Sequence, residues 1–165
     1  MRYVLIMALI VLSHLDTTAA RAGRGEDRES LRRLPGVEVV VETFLSEEEA
    51  VGFSSDAIRT GVEQVLQSNG IRLLSGSERL QTSSSPFLYV KVNPLKQSDA
   101  ATYCLAIQVE LHQTVSLINR PEQRVSARTW NRVQIAMIGE DITGRVTELV
   151  EPLVKQFAND FLTVN

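Results

Sequence analysis

From Thr102 to Leu117 apolar and polar side chains alternate with hardly a break. Tyr103, Leu105, Ile107, Val109 and Leu111 share one face, continued by Val115 and Leu117. Cys104, Ala106, Gln108, Glu110, His112 and Thr114 share the other. Successive strand residues point to opposite sides, so this pattern predicts a long strand with one buried face. After a turn at Asn119–Gln123, Arg124 to Ile138 runs back with Val125, Ala127, Val133, Ile135 and Met137 on one side. The two segments predict a long antiparallel hairpin. If Ile118 faces Arg124, odd positions face odd. Trp130 then lies opposite His112 and Arg132 opposite Glu110. An amphipathic ribbon of this length must bury one face, and that requirement decides the fold class.

The rest of the chain supplies the cover. Val37–Phe44 reads as a strand and Leu45–Phe53 as an acidic connection. Ser54-Ser55-Asp56 offers side-chain oxygens to the free N–H groups of a helix start. Ile58, Val62, Val65 and Leu66 then form a stripe at helical spacing, closed by Asn69-Gly70. Gly61 lies beside that stripe and costs about 1 kcal/mol against Ala, which suggests a close helix–sheet approach. Ile71–Leu74 reads as a short strand, Ser75–Pro86 as a loop and Phe87–Asn93 as a further strand. A final helix carries Ile142, Val146, Leu149, Val150, Leu153, Phe157 and Phe161, with Asp141 or Thr143 as its cap. Pro152 predicts a kink or break there, since it lacks an N–H and crowds the carbonyl of Glu148. The order β-α-β-β-β-β-α predicts an α+β two-layer sandwich, mostly antiparallel, with two helices on one face.

The amino terminus has the form of an export signal. Met1-Arg2 is positive, Tyr3–Leu12 is an apolar run, and Ala20-Arg21-Ala22 is a small-x-small cleavage site, with Thr17-Thr18-Ala19 as a second possible one. The run is about half the roughly 20 apolar residues a spanning helix needs. The expected arrangement is a cleaved signal over 1–22, a flexible leader over 23–35 and one domain over 36–165, in the periplasm or secreted. No Cys lies near the cleavage site, so no lipid anchor is expected, nor a transmembrane span in the mature chain.

The 165 residues carry 17 basic and 20 acidic side chains. Removing residues 1–22 takes away two basic residues and one acidic residue, leaving −4, a balance that argues against general nucleic-acid binding. With one Cys and two His there is no intramolecular disulfide and no Cys/His zinc cage. Cys104 is expected to be buried or nearly so. Glu47-Glu48-Glu49 and Glu140-Asp141 lack the Asp/Asn–spacer–Gly order of a calcium loop, and Ser46-x-x-Glu49 reads as a capping box. There is no Gly-x-Ser-x-Gly elbow and no phosphate loop. Glu38 and Glu42, about 13 Å apart on one strand, are too distant for glycoside chemistry. No catalytic residue, metal or cofactor is expected.

What remains is binding. Val40, Phe44, Phe87, Tyr89 and Trp130 fall on the sheet face opposite the inferred core, and Arg128 and Arg132 flank Trp130. Trp and Arg bring large contact area and fork-shaped donors, so Trp130, Arg128, Arg132, Tyr89 and His112 form the expected partner-binding set. Its structural alternative is cation–π and cross-strand packing within the hairpin.

The export signal, the β-α start, the hairpin with Thr129-Trp130 and the closing helix with Phe157-x-x-Asp160-Phe161 resemble small exported proteins of the bacterial envelope. In architecture the chain is similar to the amino-terminal domain of the TolB family and to the lipopolysaccharide-assembly lipoprotein family, across residues 36–165. The absent lipobox Cys departs from the latter. The resemblance implies a non-enzymatic envelope binding or assembly module whose partner is another envelope component. The alternatives are a binder of a small apolar or lipid-like ligand between sheet and kinked helix, and a hydrolase using His112.

Overall fold

The computed structural model describes residues 25–43, 54–96, 102–139 and 145–165. The export signal, Phe44, the acidic connection, Glu140 and the Asp141/Thr143 cap lie outside these residues. The elements are α1 (residues 25–29), β1 (Glu38–Thr43), α2 (Ser55–Ser68), α3 (Gly76–Gln81), β2 (Phe87–Lys96), β3 (Thr102–Leu117), β4 (Arg120–Gly139) and α4 (Arg145–Val164). The strands form one sheet in the order β1-β2-β3-β4. β1 pairs with β2 in parallel, and the other neighbours are antiparallel. Parallel neighbours need a crossover, and α2 supplies it. The helices α2 and α4 cover one face, so the fold is the expected two-layer α+β sandwich.

The alternation in β2 and β3 sets the core. Leu88, Val90, Val92, Leu105, Ile107, Val109 and Leu111 are fully buried on the helix side. Val150, Leu153, Val154 and Phe157 of α4 and Ile58, Val62 and Leu66 of α2 close over them. Ser54 caps α2 as expected, accepting from the Ala57 N–H at 3.1 Å. Gly70, at φ +74°, follows the C-cap Asn69 in the left-handed position.

Several expectations change. Inserting a Cβ at Gly61 would bring it to 2.7 Å from Thr147 Cγ2, so the glycine serves a close approach of α2 to α4, helix to helix. Ile71–Leu74 is not a sheet strand. It makes an isolated bridge between Val37 and Leu73, with Val37 N donating to Arg72 O and Leu74 N to Val37 O. Gly36 makes that contact possible, because a Cβ there would sit 2.4 Å from the Arg72 oxygen. The expected loop after it contains α3, started by a capping box between Ser75 and Glu78. β2 runs on through Pro94, beyond Val92, where its described pairing with β1 ends. A missing N–H is tolerated on such an unpaired margin. α4 is helical without a break from Arg145 to Val164, with Pro152 on its exposed side.

Residues 25–35, expected as a flexible leader, are packed into the domain. Leu31 is fully buried, and Asn165 at the carboxy terminus donates to Leu31 O at 2.9 Å while accepting from the Arg33 N–H at 2.6 Å. Ser30 donates to Thr129 O at 3.1 Å, and Gln113 donates to Ser30 O at 2.9 Å.

The largest correction concerns β4. The turn is shorter than expected, with Ile118-Asn119 between Leu117 and Arg120, which pair. His112 pairs with Arg128 and Leu111 with Trp130, so Thr129 is an extra residue, a β-bulge. One extra residue reverses every side chain beyond it. Trp130, Arg132, Gln134, Ala136 and Ile138 therefore share the helix-side face with Leu111 and Val109. Val133, Ile135 and Met137, expected inside, stand on the opposite face and are more than half exposed. Cys104 is half-buried on that outer face, beside Met137.

Candidate functional site

The sheet face opposite α2 and α4 is ordered in rows, because strand partners directly opposite share a side. At one end a single row crosses all four strands: Glu38, Phe87, His112 and Arg128. The next row is Val40, Tyr89, Glu110 and Asn131, and the one after is Glu42, Lys91, Gln108 and Val133. Beyond these come Asn93, Ala106 and Ile135, then the apolar row of Leu95, Cys104 and Met137. The outer face thus passes from charged and aromatic to aliphatic along the strands.

The polar end is tightly connected. Glu110 is buried and accepts from both neighbours, Arg128 Nη1 at 2.9 Å on Oε1 and His112 Nε2 at 2.9 Å on Oε2. Burial pushes the Glu110 carboxyl up. The hydrogen bonds from His112 and Arg128, with their charges, outweigh it and leave the group below its ordinary value. Phe87 stacks on the His112 ring at 5.0 Å and Tyr89 meets it edge-on at 5.8 Å. Arg79 of α3 lies over Phe87, 5.2 Å from the ring centre, while bonding Glu38 and Ser85. Two β-sheet rows are thereby fixed as a rigid plate of alternating charge and ring.

Of the five residues expected at a docking surface, His112, Arg128 and Tyr89 come together here. Trp130 and Arg132 do not, because the bulge at Thr129 carries them to the other face. Trp130 is 1% exposed, packs edge-on to Phe157 at 5.1 Å and donates Nε1–H to Asp160 at 3.0 Å. Arg132 lies over the Trp130 ring at 4.6 Å and donates to Asp160 at 2.7 Å. The cation–π packing of Arg132 on Trp130 is present, but within the core layer. Phe87, read from the sequence as an outer-face aromatic, also belongs to the plate, as do Glu110 and Arg79, which were not in the expected binding set. Glu110 was legible as an acid among outward residues of β3, one row from His112. Arg79 was not, since its helix was read as loop.

Chemically the plate offers hydrogen-bond donors, a buried carboxylate and rings. The His112 Nε2 is engaged by Glu110, and no Ser or Cys side chain hydrogen-bonds to His112 among the described residues. No group of three or more His, Cys, Asp or Glu is placed to hold a metal ion among them. A shallow cleft between α2 and α4, lined by Gly61, Gln64, Thr147 and Glu151, carries no comparable cluster. No helix of the described residues is long and apolar enough to cross a membrane.

No family model matches the sequence, and no curated protein does. A crystal structure of rare lipoprotein B from Shewanella oneidensis is similar over 76% of this chain and 91% of its own, at 14% identity and a TM-score of 0.31.

Proposed function

We propose that this chain is an exported, non-enzymatic binding or assembly module of the bacterial cell envelope, released by cleavage after Ala22 into the periplasm or the medium. It docks another envelope component through the sheet face opposite α2 and α4. The observation that carries this reading is the plate of Phe87, Tyr89, His112, Glu110 and Arg128 on the face opposite α2 and α4, which α3 meets at the Glu38–Phe87 end through Arg79. Rings held rigidly by ion pairs lose little freedom on binding, so their contact area converts efficiently into affinity. The n-h-c pattern of residues 1–22 supports export.

The test places a photo-reactive aromatic residue at Tyr89 and irradiates cells expressing the full chain. The expected result is one defined adduct in the envelope fraction, on a chain whose first residue is Gly23. The adduct should disappear with Phe87→Asp while the thermal melt is kept. An adduct insensitive to Phe87→Asp, or purified protein that retains Met1, overturns the reading.

A further inference from the structure

Among the described residues, the second half of β4 is an unguarded sheet edge. Residues 131–139 pair with β3 on one side, and no backbone hydrogen bond joins them to any other described element. The first part of the strand is protected, since the bulge at Thr129 and the Ser30 contact lie there. The opposite edge, β1, is six residues long and presents Glu38 and Glu42. Such devices keep an edge from pairing with another chain. From Val133 to Gly139 none is present: Val-Gln-Ile-Ala-Met-Ile-Gly has no charge and no proline. Ile135, at its centre, is 71% exposed.

We propose that this edge pairs with the same edge of a second copy, β4 antiparallel to β4, about a twofold axis through Ile135. The two four-stranded sheets join into one of eight. The sequence favours this occupant because the edge is complementary to itself. With the axis at Ile135, outer-face Val133 meets Met137 of the other copy, Ile135 meets Ile135, and Met137 meets Val133. On the inner face Gln134 meets Ala136. The single charge within reach, Arg132, meets Ile138 and stays bound to Asp160 of its own chain. No like charges oppose each other. Moving the axis by one residue puts Met137 against Asn131 or Val133 against Gly139, so the central register is the best one. An isologous contact of this kind closes on itself and stops at two copies. It leaves the plate of Tyr89 and His112 free, so it does not depend on the docking role proposed above.

The experiment uses the chain purified after export, in a Cys104→Ser background. Residues directly opposite across an antiparallel pair have Cα atoms about 4.5–5.5 Å apart, within disulfide reach. Under mild oxidation Ile135→Cys should convert to a disulfide-linked dimer. Leu95→Cys is equally exposed on the same face but two strands away, on β2, and should stay monomeric. In sedimentation equilibrium the unmodified chain should run at twice its mass and Ile135→Lys at the monomer mass, with superimposable circular-dichroism melts. Equal cross-linking of the two cysteines, or a monomeric unmodified chain, overturns the proposal. So does a cross-link from Ile135→Cys that forms only to a different chain when envelope extract is added.

Discussion

Asp160 on α4 accepts the indole N–H of Trp130 on β4 at 3.0 Å, and the same carboxylate receives Arg132 at 2.7 Å and Arg28 at 3.0 Å. One buried carboxylate thus joins the last helix, the last strand and α1. Asp160→Ala leaves the indole N–H and the Arg132 guanidinium without their acceptor. Removing one member of such a buried cluster costs about 3–5 kcal/mol. Urea melts measure the loss. Because the chain has a single Trp, its fluorescence reports the same site. Emission should be blue-shifted and shielded from quencher in the wild type and move red in the variant.

The fate of Trp130 shows where the sequence was legible and where it was not. The alternation in β2 and β3 is uninterrupted, so their inward residues read correctly. In β4 the apolar residues Val125, Ala127, Val133, Ile135 and Met137 all fall on odd positions, which imitates an unbroken strand. The bulge at Thr129 breaks that parity, and nothing in Arg128-Thr129-Trp130 announces it. The one available signal was Trp130 itself, the largest side chain on the supposed outer face. Arg132 can follow it inward only because Asp160 waits 28 residues later, a tertiary pairing that local pattern does not reveal. The segment around Leu31 misled through its average: charged overall, it is anchored by two leucines, Leu31 and Leu34. Of the plate, His112, Tyr89, Phe87 and Arg128 were legible as outward residues, whereas Arg79 arrives from a helix read as loop. The Ser75-x-x-Glu78 signature of that helix was readable by the rule already applied to Ser46-x-x-Glu49.

Gly61 gives a prediction whose sign depends on a neighbour. In an isolated helix Gly→Ala gains about 1 kcal/mol. Here the new methyl would lie 2.7 Å from Thr147 Cγ2. Gly61→Ala alone should destabilise by about 1–3 kcal/mol, the ordinary cost of overpacking. In a Thr147→Ala background the obstacle is gone, and the same substitution should become neutral or stabilising. A double-mutant cycle by denaturant unfolding checks this, and additive effects would show that α2 and α4 are not in close contact at Gly61.

The capping box of α3 titrates in a defined window. The Ser75 backbone N–H, the Ser75 hydroxyl and Arg72 together hold the Glu78 carboxyl down, to about 2 from 4.5. A carboxyl lowered in the folded state stabilises it fully above the unfolded value, and the benefit is lost as pH falls through the folded value. The start of α3 should therefore be intact above pH 4.5 and loosen toward about 2. Amide exchange at Ser75 and Glu78 follows it. Glu78→Gln keeps an acceptor but no charge, and should flatten the pH dependence.

Glu110 couples the plate to acid in the same direction, through different partners. Burial alone would raise its carboxyl, so the observed lowering rests on the hydrogen bonds from His112 and Arg128 and on their charges. Arg128→Gln removes the permanent cation and leaves burial and His112. The Glu110 midpoint, read from its side-chain carbon resonance, should lie below 4.5 in the wild type and move up in the variant. The sign for stability follows: above the ordinary carboxylate range the wild type has the full contribution, and it declines as pH falls through the lowered midpoint. With a smaller shift there is less to lose, so the difference in unfolding free energy between neutral and acid solution should shrink in Arg128→Gln. His112→Asn should also reduce it, by removing the imidazole hydrogen bond to the second carboxylate oxygen. A midpoint unchanged by Arg128→Gln would mean that the guanidinium stands free in solution, and that the row from Phe87 through His112 to Arg128 is not the rigid plate described above.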